Sequence, residues 1–383
     1  MALVSGLPAG LRVDLEFVNR ELWRRQQGYG RGGRQKIETD RAHPLSGIRH
    51  GITIGSPVTI LLENKDWANW RESLPVEPGD PAKHREVSSP RPGHADLAGA
   101  LKFNFPEARY ILERASARES AARVAAGALA KLLLQELGIQ VLSHVIAVGG
   151  ARLERSASWD ELEALHDRSE VVLNCVDAAA EERMRAEVDA VLRTGDTVGG
   201  VFEVVARGVP PGLGTVANRN ERLDTRLAAA VMSLQAVKAV EIGEGVAAAF
   251  LPGSQVHDEI GYASTEAAPA AKESRFTAFT RPTNRAGGLE GGISNGQDII
   301  VRGYLKPIST LRRPLQSVDF RTRKPVKASY ERSDVCVVPA AGVAAEAMVS
   351  LVLAGTALDK FGGDSMTEVG RNFRGYCEQL KNY

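Results

Sequence analysis

The stretches GIRHGITIGSPVTILL at 47–62 and GLEGGISNGQDIIV at 288–301 decide the fold. Each carries three glycines spaced by four: Gly47, Gly51 and Gly55, then Gly288, Gly292 and Gly296. Each runs on into an apolar, β-branched segment, Val58–Leu62 and Ile299–Val301. Closely spaced glycines ahead of such a run read as a hairpin feeding a strand. Further on, Glu113-Arg114 leads toward an Ala-rich helix, and so does Glu331-Arg332. The double match predicts an internally repeated sheet-plus-helix unit with Arg114 and Arg332 in related positions. Chance likeness between Gly-rich hairpins is the plain alternative.

Working outward, Leu11–Leu15 reads as a strand and Phe17–Trp23 as a short helix. Residues 74–93 are Pro-rich and polar, a long loop. The clearest helix spans 117–137, with Gly138 where a C-terminal glycine belongs. A strand at 139–148, a helix at 179–193 and a strand at 201–206 follow. A helix at 222–234 and a strand at 237–242 come next. Residues 261–280 lack a strong period and read as an exposed loop. The last long helix covers 339–361 and closes at Gly362-Gly363. Strands and helices do not alternate strictly and several strands look hairpin-joined, which predicts α+β rather than a doubly wound sheet. No linker divides the chain, so 1–383 is taken as a single domain.

Composition narrows the function. The chain has 383 residues, a net charge of +1, 43% hydrophobic and 25% charged residues, which excludes a disordered chain. The balanced charge and the 5% aromatic content argue against a nucleic-acid partner. No apolar run approaches the roughly 18–20 residues of a membrane span, and Met1–Gly10 does not resemble a secretory signal. Cys175, Cys336 and Cys377 form no CxxC, and the histidines show no metal spacing. The expectation is a cytoplasmic protein with no disulfide framework and no metal.

Several segments can carry chemistry. Arg24, Arg25, Arg31, Arg34 and Lys36 lie within a loop interleaved with four glycines at 28, 30, 32 and 33. Guanidinium forks and approachable backbone N–H groups suit a small anion; the bland reading is a solvated loop. Neither a GxGxxG between strand and helix nor a GxxxxGK[ST] is present. In RPGHAD (91–96), His94 is placed by a turn and has the pKa range for proton transfer, unless it is incidental. Asp96 would orient its ring but points to the other face if the segment is extended. Arg114 and Arg118 share a helix face if one helix covers both, and salt bridges to Glu113 and Glu119 are the alternative. Residues 281–296 are dense in glycine and polar groups, and Lys306 to Thr310 add a cation and two hydroxyls. Asp334, ahead of the last helix, is either an N-cap or a catalytic carboxylate.

Taken together, RRQQGYGRGGRQKIETD (24–40), SGIRHGITIGSPV (46–58), RPGHADLAGALKF (91–103) and ERASARESAARVAAG (113–127) closely resemble the chorismate synthase family. So do TNRAGGLEGGISNGQ (283–297), KPISTL (306–311), ERSDVCVVPAAGVAAEAMVSLVLAG (331–355) and KFGGDS (360–365). The segments stand in the family's order over nearly the whole chain. The resemblance implies a β-α-β sandwich, usually a homotetramer. It implies a 1,4 elimination of phosphate and a ring proton from 5-enolpyruvylshikimate 3-phosphate, giving chorismate with reduced FMN and no net redox change. By motif, Arg25, Arg31, Arg34, Arg91 and Arg118 would bind substrate. Arg25 and Arg31 would also meet NADPH in members that reduce their own flavin. Arg114, Ala115, Ser116, Gln235, Ala236, Gly291, Lys306, Pro307, Ile308, Ser309, Thr310 and Arg332 match flavin-contacting segments. His94 would donate to the reduced flavin near N1, and Asp334 would help its N5 act as base. The family begins with a strand and a Gly-Glu-Ser-His-Gly motif whose His protonates the leaving phosphate, and Met1 aligns just after it. The expectation is a start site placed late; otherwise, a sheet lacking an early strand and an impaired, FMN- or phospho-ligand-binding paralogue.

Overall fold

The computed structural model describes residues 1–33, 37, 39–263, 275–331 and 333–383. Two antiparallel sheets enclose a layer of helices. β1 (Ala2–Val4), β2 (His43–Ser46) and β5 (Val58–Leu61) form the smaller sheet in the order β1-β5-β2. Between β2 and β5 stands a small hairpin, β3 (Ile48–Arg49) with β4 (Ile52–Thr53). β6 (Gln140–Val148), β7 (Ala151–Arg152), β8 (Gly200–Arg207), β9 (Val237–Ile242) and β14 (Ile299–Leu305) make the larger sheet, ordered β7-β6-β8-β14-β9. Three further hairpins lie outside it: β10 (Gly261–Tyr262) with β11 (Phe279–Thr280), β12 (Leu289–Glu290) with β13 (Ile293–Ser294), and β15 (Gln316–Val318) with β16 (Pro325–Lys327). In β14, Ile299, Val301 and Leu305 are buried while Ile300, Arg302 and Tyr304 are less so, the alternation a strand with one core face requires.

Among the described residues, the α-helices longer than four residues are α1 (Leu15–Gln26), α2 (Asp96–Phe103), α3 (Arg109–Arg114), α4 (Ser120–Glu136), α5 (Trp159–His166), α6 (Ala178–Thr194), α7 (Leu223–Met232), α8 (Val338–Phe361) and α9 (Met366–Lys381). α8 lies on β6 and β8, and α4 packs on α8 and reaches β1 and β5, giving a β-α-β sandwich. A Cβ on Gly127 of α4 would stand 2.3 Å from the Ala347 Cβ of α8, so the crossing is close enough to admit only glycine. Both halves of the sequence echo take the same form: a Gly-turned hairpin, a strand, and later one of these two crossing helices.

Some expectations need correction. Leu11–Leu15 is not a strand, because Asp14 caps α1, accepting hydrogen bonds from the N–H of Glu16 (2.9 Å) and Phe17 (3.3 Å). The helix at 339–361 is not the last. α9 follows it, opened by a capping box between Ser365 and Glu368, and α5 has the same device in Ser158 and Glu161. The presumed loop at 261–280 starts and ends in the β10–β11 pair, and 264–274 lie outside the described residues. An apolar run of membrane length does exist: α8 has 24 residues, and an 18-residue stretch of it has a mean hydropathy of 1.7. It is a core helix here, covered by α1, α4, α7 and the larger sheet.

The apolar α8 nevertheless carries Glu346, which is 0% exposed. Arg24 meets it with two nitrogens at 2.7 Å each, Ser143 Oγ donates to it at 2.6 Å, and Lys131 also donates. Glu21 completes the group, 3.0 Å from Arg24, 2.7 Å from Lys131 and 3.2 Å from His166 Nε2. Two buried carboxylates thus face two buried cations. Burial alone would raise both carboxyls, but Arg24 and Lys131 outweigh it and hold them below the usual range. Glu346→Leu should therefore cost about 3–5 kcal/mol, seen as a shifted urea unfolding curve, because it leaves two buried cations with Glu21 as their one shared carboxylate. With folded values below unfolded ones, the network's contribution is complete above the unfolded carboxylate value of about 4.3 and declines as pH falls below it. Acid unfolding followed by circular dichroism should begin in that window.

Candidate active site

The last turn of α1 sends its two arginines different ways. Arg24 enters the core, and Arg25 Nη2 donates to Asp40 at 2.7 Å. Arg118 meets the same carboxylate with Nη1 at 3.1 Å and Nη2 at 2.7 Å. From the glycine loop, Arg31 lies 3.3 Å from Asp334 Oδ2, while the Gly32 N–H donates to Asp334 Oδ1 at 2.6 Å. A Cβ on Gly32 would sit 2.9 Å from the Ser333 carbonyl, so this approach requires glycine. Three guanidiniums face two carboxylates. Among the described residues, Nε of Arg25 and Nε of Arg31 are buried without a hydrogen-bond partner, a costly state unless a ligand oxygen comes to them. Burial lowers the Arg25 pKa, Asp40 raises it in part, and the neighbouring Arg31 and Arg118 press it down further. Arg34 lies outside the described residues. Asp40 was missed from sequence, though it closes the basic segment that was singled out.

The second wall is built by the turn at 91–94. His94 N–H donates to the Arg91 carbonyl at 3.2 Å, and the chain then enters α2 at Asp96. It is therefore not extended, and Asp96 turns back to the ring instead of pointing away: His94 Nδ1 and Asp96 Oδ1 are 2.5 Å apart. Asp96 is 0% exposed and accepts from Arg91 Nε at 2.8 Å and Nη2 at 3.0 Å. Burial would raise its carboxyl, but the hydrogen bonds of His94 and Arg91 win and hold it below the usual range. With Nδ1 facing Asp96, Nε2, which lies 3.3 Å from Arg91 Nη2, is the other ring atom through which a proton would pass. Arg91 is engaged throughout, since its Nη1 donates to Thr310 Oγ1 at 2.8 Å and its Nη2 lies 3.0 Å from the His94 ring.

Hydrogen bonds join the two walls into one rim. Lys306 Nζ donates to the Gly93 carbonyl at 2.5 Å and its N–H to the Ala236 carbonyl at 3.0 Å. Ala236 has φ +68°, a strained value for a residue with a Cβ. Gln235 Nε2 donates to Glu119 at 2.5 Å, and Glu119 also meets Arg114 (3.3 Å) and Arg123 (2.8 Å). Thr197 Oγ1 donates to the Ile308 carbonyl at 2.7 Å, next to the Val198 N–H that donates to Val335 at 3.1 Å, which returns to the Asp334 wall. Burial lowers the Lys306 pKa, with Lys238 adding to it. Pro307 and Ser309 belong to this same segment.

Arg114 and Arg118 do not share a helix face. α3 ends at Arg114, Ala115 is its C-cap, and Ser116 caps a separate 3-10 turn at Ala117–Glu119. Arg114 is 79% exposed in its side chain and paired with Glu119, whereas Arg118 points to Asp40. Gly291 stands apart: the neighbouring Gly292 carbonyl accepts from Leu223 at the start of α7, the end opposite Gln235 and Ala236. Arg332 lies outside the described residues.

The model of the family described as chorismate synthase matches residues 1–358. The chorismate synthase of Koribacter versatilis strain Ellin345 is 68% identical over 100% of this chain and 96% of its own length. That of Geobacter sulfurreducens is 53% identical with the same coverage. A crystal structure of chorismate synthase, 38% identical, aligns with a TM-score of 0.76 over 100% of this chain and 94% of its own.

The Asp40 contacts have a direct test. Asp40→Asn should destabilise the chain by about 3 kcal/mol, because the buried Arg25 and the half-buried Arg118 lose their shared carboxylate. Millimolar inorganic phosphate should then raise the melting temperature of the variant more than that of the original chain. Equal shifts by differential scanning fluorimetry would mean the arginines do not hold an anion together.

Proposed function

The chain belongs to the chorismate synthase family of carbon–oxygen lyases, and from this membership we propose the work of each residue at its site. The reaction is the 1,4 elimination of phosphate and a ring proton from 5-enolpyruvylshikimate 3-phosphate to give chorismate. One C–O and one C–H bond break, a ring double bond forms, and there is no net redox change. Close identity to named synthases favours this active enzyme over a binding-only paralogue.

The observation that carries the reading is the excess of guanidinium over carboxylate, with two buried Nε donors facing no partner. The substrate brings a phosphate and two carboxylates, the groups that bidentate arginines bind best. Arg25, Arg31 and Arg118 would bind these groups, joined by Arg34, while Asp40 spaces two of the guanidiniums. Arg91 acts through Asp96 and His94, since its nitrogens are already engaged. His94, oriented by Asp96, would hold or deliver a proton at Nε2. Asp334, fixed by the Gly32 N–H and Arg31, would accept one at the opposite wall.

The rim also fits a flat phosphorylated cofactor: a cation and hydroxyls at Lys306, Ser309 and Thr310, beside backbone drawn in by the positive φ of Ala236. Arg114 to Ser116, Gln235, Pro307, Ile308 and Arg332 would complete that cradle. Reduced FMN, when bound, supplies an electron-rich ring system to the breaking C–O bond. Arg25 and Arg31 are also where NADPH would meet a member that reduces its own flavin. We take 1–383 to act as one domain within a cytoplasmic homotetramer, and Gly291 as a flavin contact of the assembled enzyme.

With chemically reduced FMN and no oxygen, the chain should release phosphate in step with chorismate, followed by phosphate assay and absorbance. His94→Ala should lower kcat by about 10²–10⁴, and Asp334→Asn by a similar factor. Phosphate release without chorismate, or full activity in both variants, would overturn these roles.

A further inference from the structure

We propose that Arg109 is a positioning residue that sets the Asp334 wall against the His94 wall, gripping Glu331 with one nitrogen and the Arg85 carbonyl with another. The inference rests on the reading of His94 and Asp334 given above.

Residues 84–91 run to His94, and residues 316–331 run to Asp334. The two strands of chain are fastened side by side. Phe320 N–H donates to the Ser88 carbonyl at 2.9 Å and Ser329 N–H to the Ser89 carbonyl at 3.1 Å. Ser89 and Ser329 share a hydrogen bond of 2.7 Å between hydroxyls, and Ser317 Oγ donates to the Pro90 carbonyl at 2.5 Å. On the other flank of 84–91, Ala108 N–H donates to Val87 at 2.9 Å and Glu107 accepts from the Val87 N–H at 2.9 Å, with His84 also on that carboxylate.

Arg109 stands where these flanks meet. It is 4% exposed, its Nε donates to the Arg85 carbonyl at 2.6 Å, and its Nη2 donates to Glu331 at 3.0 Å. Arg85 and Arg109 lie over the Trp70 ring at 4.9 and 5.2 Å, so the guanidinium plane is fixed as well as its charge. Among the described residues its Nη1 is buried without a hydrogen-bond partner, with Glu113 3.7 Å away. The two hydrogen bonds that Arg109 does make outweigh that unmet donor. Those contacts are to the two arms that present the site, and its own helix, α3, ends at Arg114. Lysine has no planar fork whose separate nitrogens can reach the Arg85 carbonyl and Glu331 in this geometry.

The test uses the full chain with Glu331→Gln, Arg109→Met, Arg109→Lys and the Arg109→Met/Glu331→Gln double variant. Hydrogen exchange of the ligand-free protein is the first readout. Each single variant should speed exchange at 88–94 and 333–337 by roughly tenfold while the α4 and α8 amides keep their protection. In turnover, kcat should fall about tenfold with KM changed less than about twofold, the mark of a displaced reacting group rather than lost binding. The double variant should match the worse single one, because both break one contact. Uniform loss of protection across the chain, additive effects, or an Arg109→Lys variant identical to the original would overturn the clamp. The exchange result needs no substrate. A chain that makes no chorismate would sink the elimination reading, whereas unchanged exchange at the two arms would sink the clamp alone.

Discussion

One buried carboxylate constrains the whole chain. Glu346 lies in the middle of the most apolar helix, where an uncompensated charge would be excluded. It is tolerated because Arg24 and Lys131 come to it from α1 and α4, with Ser143 from β6. Each partner has one geometry that works, so the network fixes the three helices and strand β6 in rotation and height as apolar packing alone would not. The Gly127–Ala347 crossing then brings α4 and α8 together without a side chain between them.

The site is a by-product of that arrangement. Arg24 and Arg25 are consecutive, so fixing one in the core aims the other outward at Asp40. α4 is preceded directly by the turn that carries Arg118 and Glu119, and α8 by the segment that carries Asp334. Each of the two repeated helices therefore delivers an ion-pairing residue from just ahead of its N-terminal end. The larger sheet contributes the residue just before β9 and the one just after β14, where Ala236 and Lys306 meet. The site's charged groups are thus carried on loops, while the spacing of those loops is set by the helices and strands they join.

Much of this was readable. The hairpin echo, the 117–137 helix and the strands at 139–148, 201–206 and 237–242 declare themselves by glycine placement and hydrophobic period. What was not readable depended on competition between local and distant partners. Leu11–Leu15 has strand composition, but the Asp14 carboxylate claims the next two N–H groups. α5 and α9 carried visible capping boxes that composition masked. The turn into α2 reversed the direction of Asp96, a matter of where a helix begins by one residue. Asp40 and Glu331 stand in segments the sequence marks, but their ion pairs were not legible, because an acidic residue acquires its role only when arginines remote in sequence reach it. Arg91 illustrates the converse: its motif suggested a ligand contact, and its nitrogens are spent on Asp96 and Thr310.

The Arg24–Glu346 pair also has a consequence for biosynthesis. Its members are separated by 322 residues. A ribosome adding about 5–20 residues per second needs tens of seconds to cover that interval. From residue 131 onward, Glu21, Arg24 and Lys131 have been made without their fourth member, so α1 and α4 cannot settle as a closed core. Folding of this chain is therefore a late, largely post-translational event, and its N-terminal half is the part with most to gain from a chaperone while the C-terminal helices are still being synthesised.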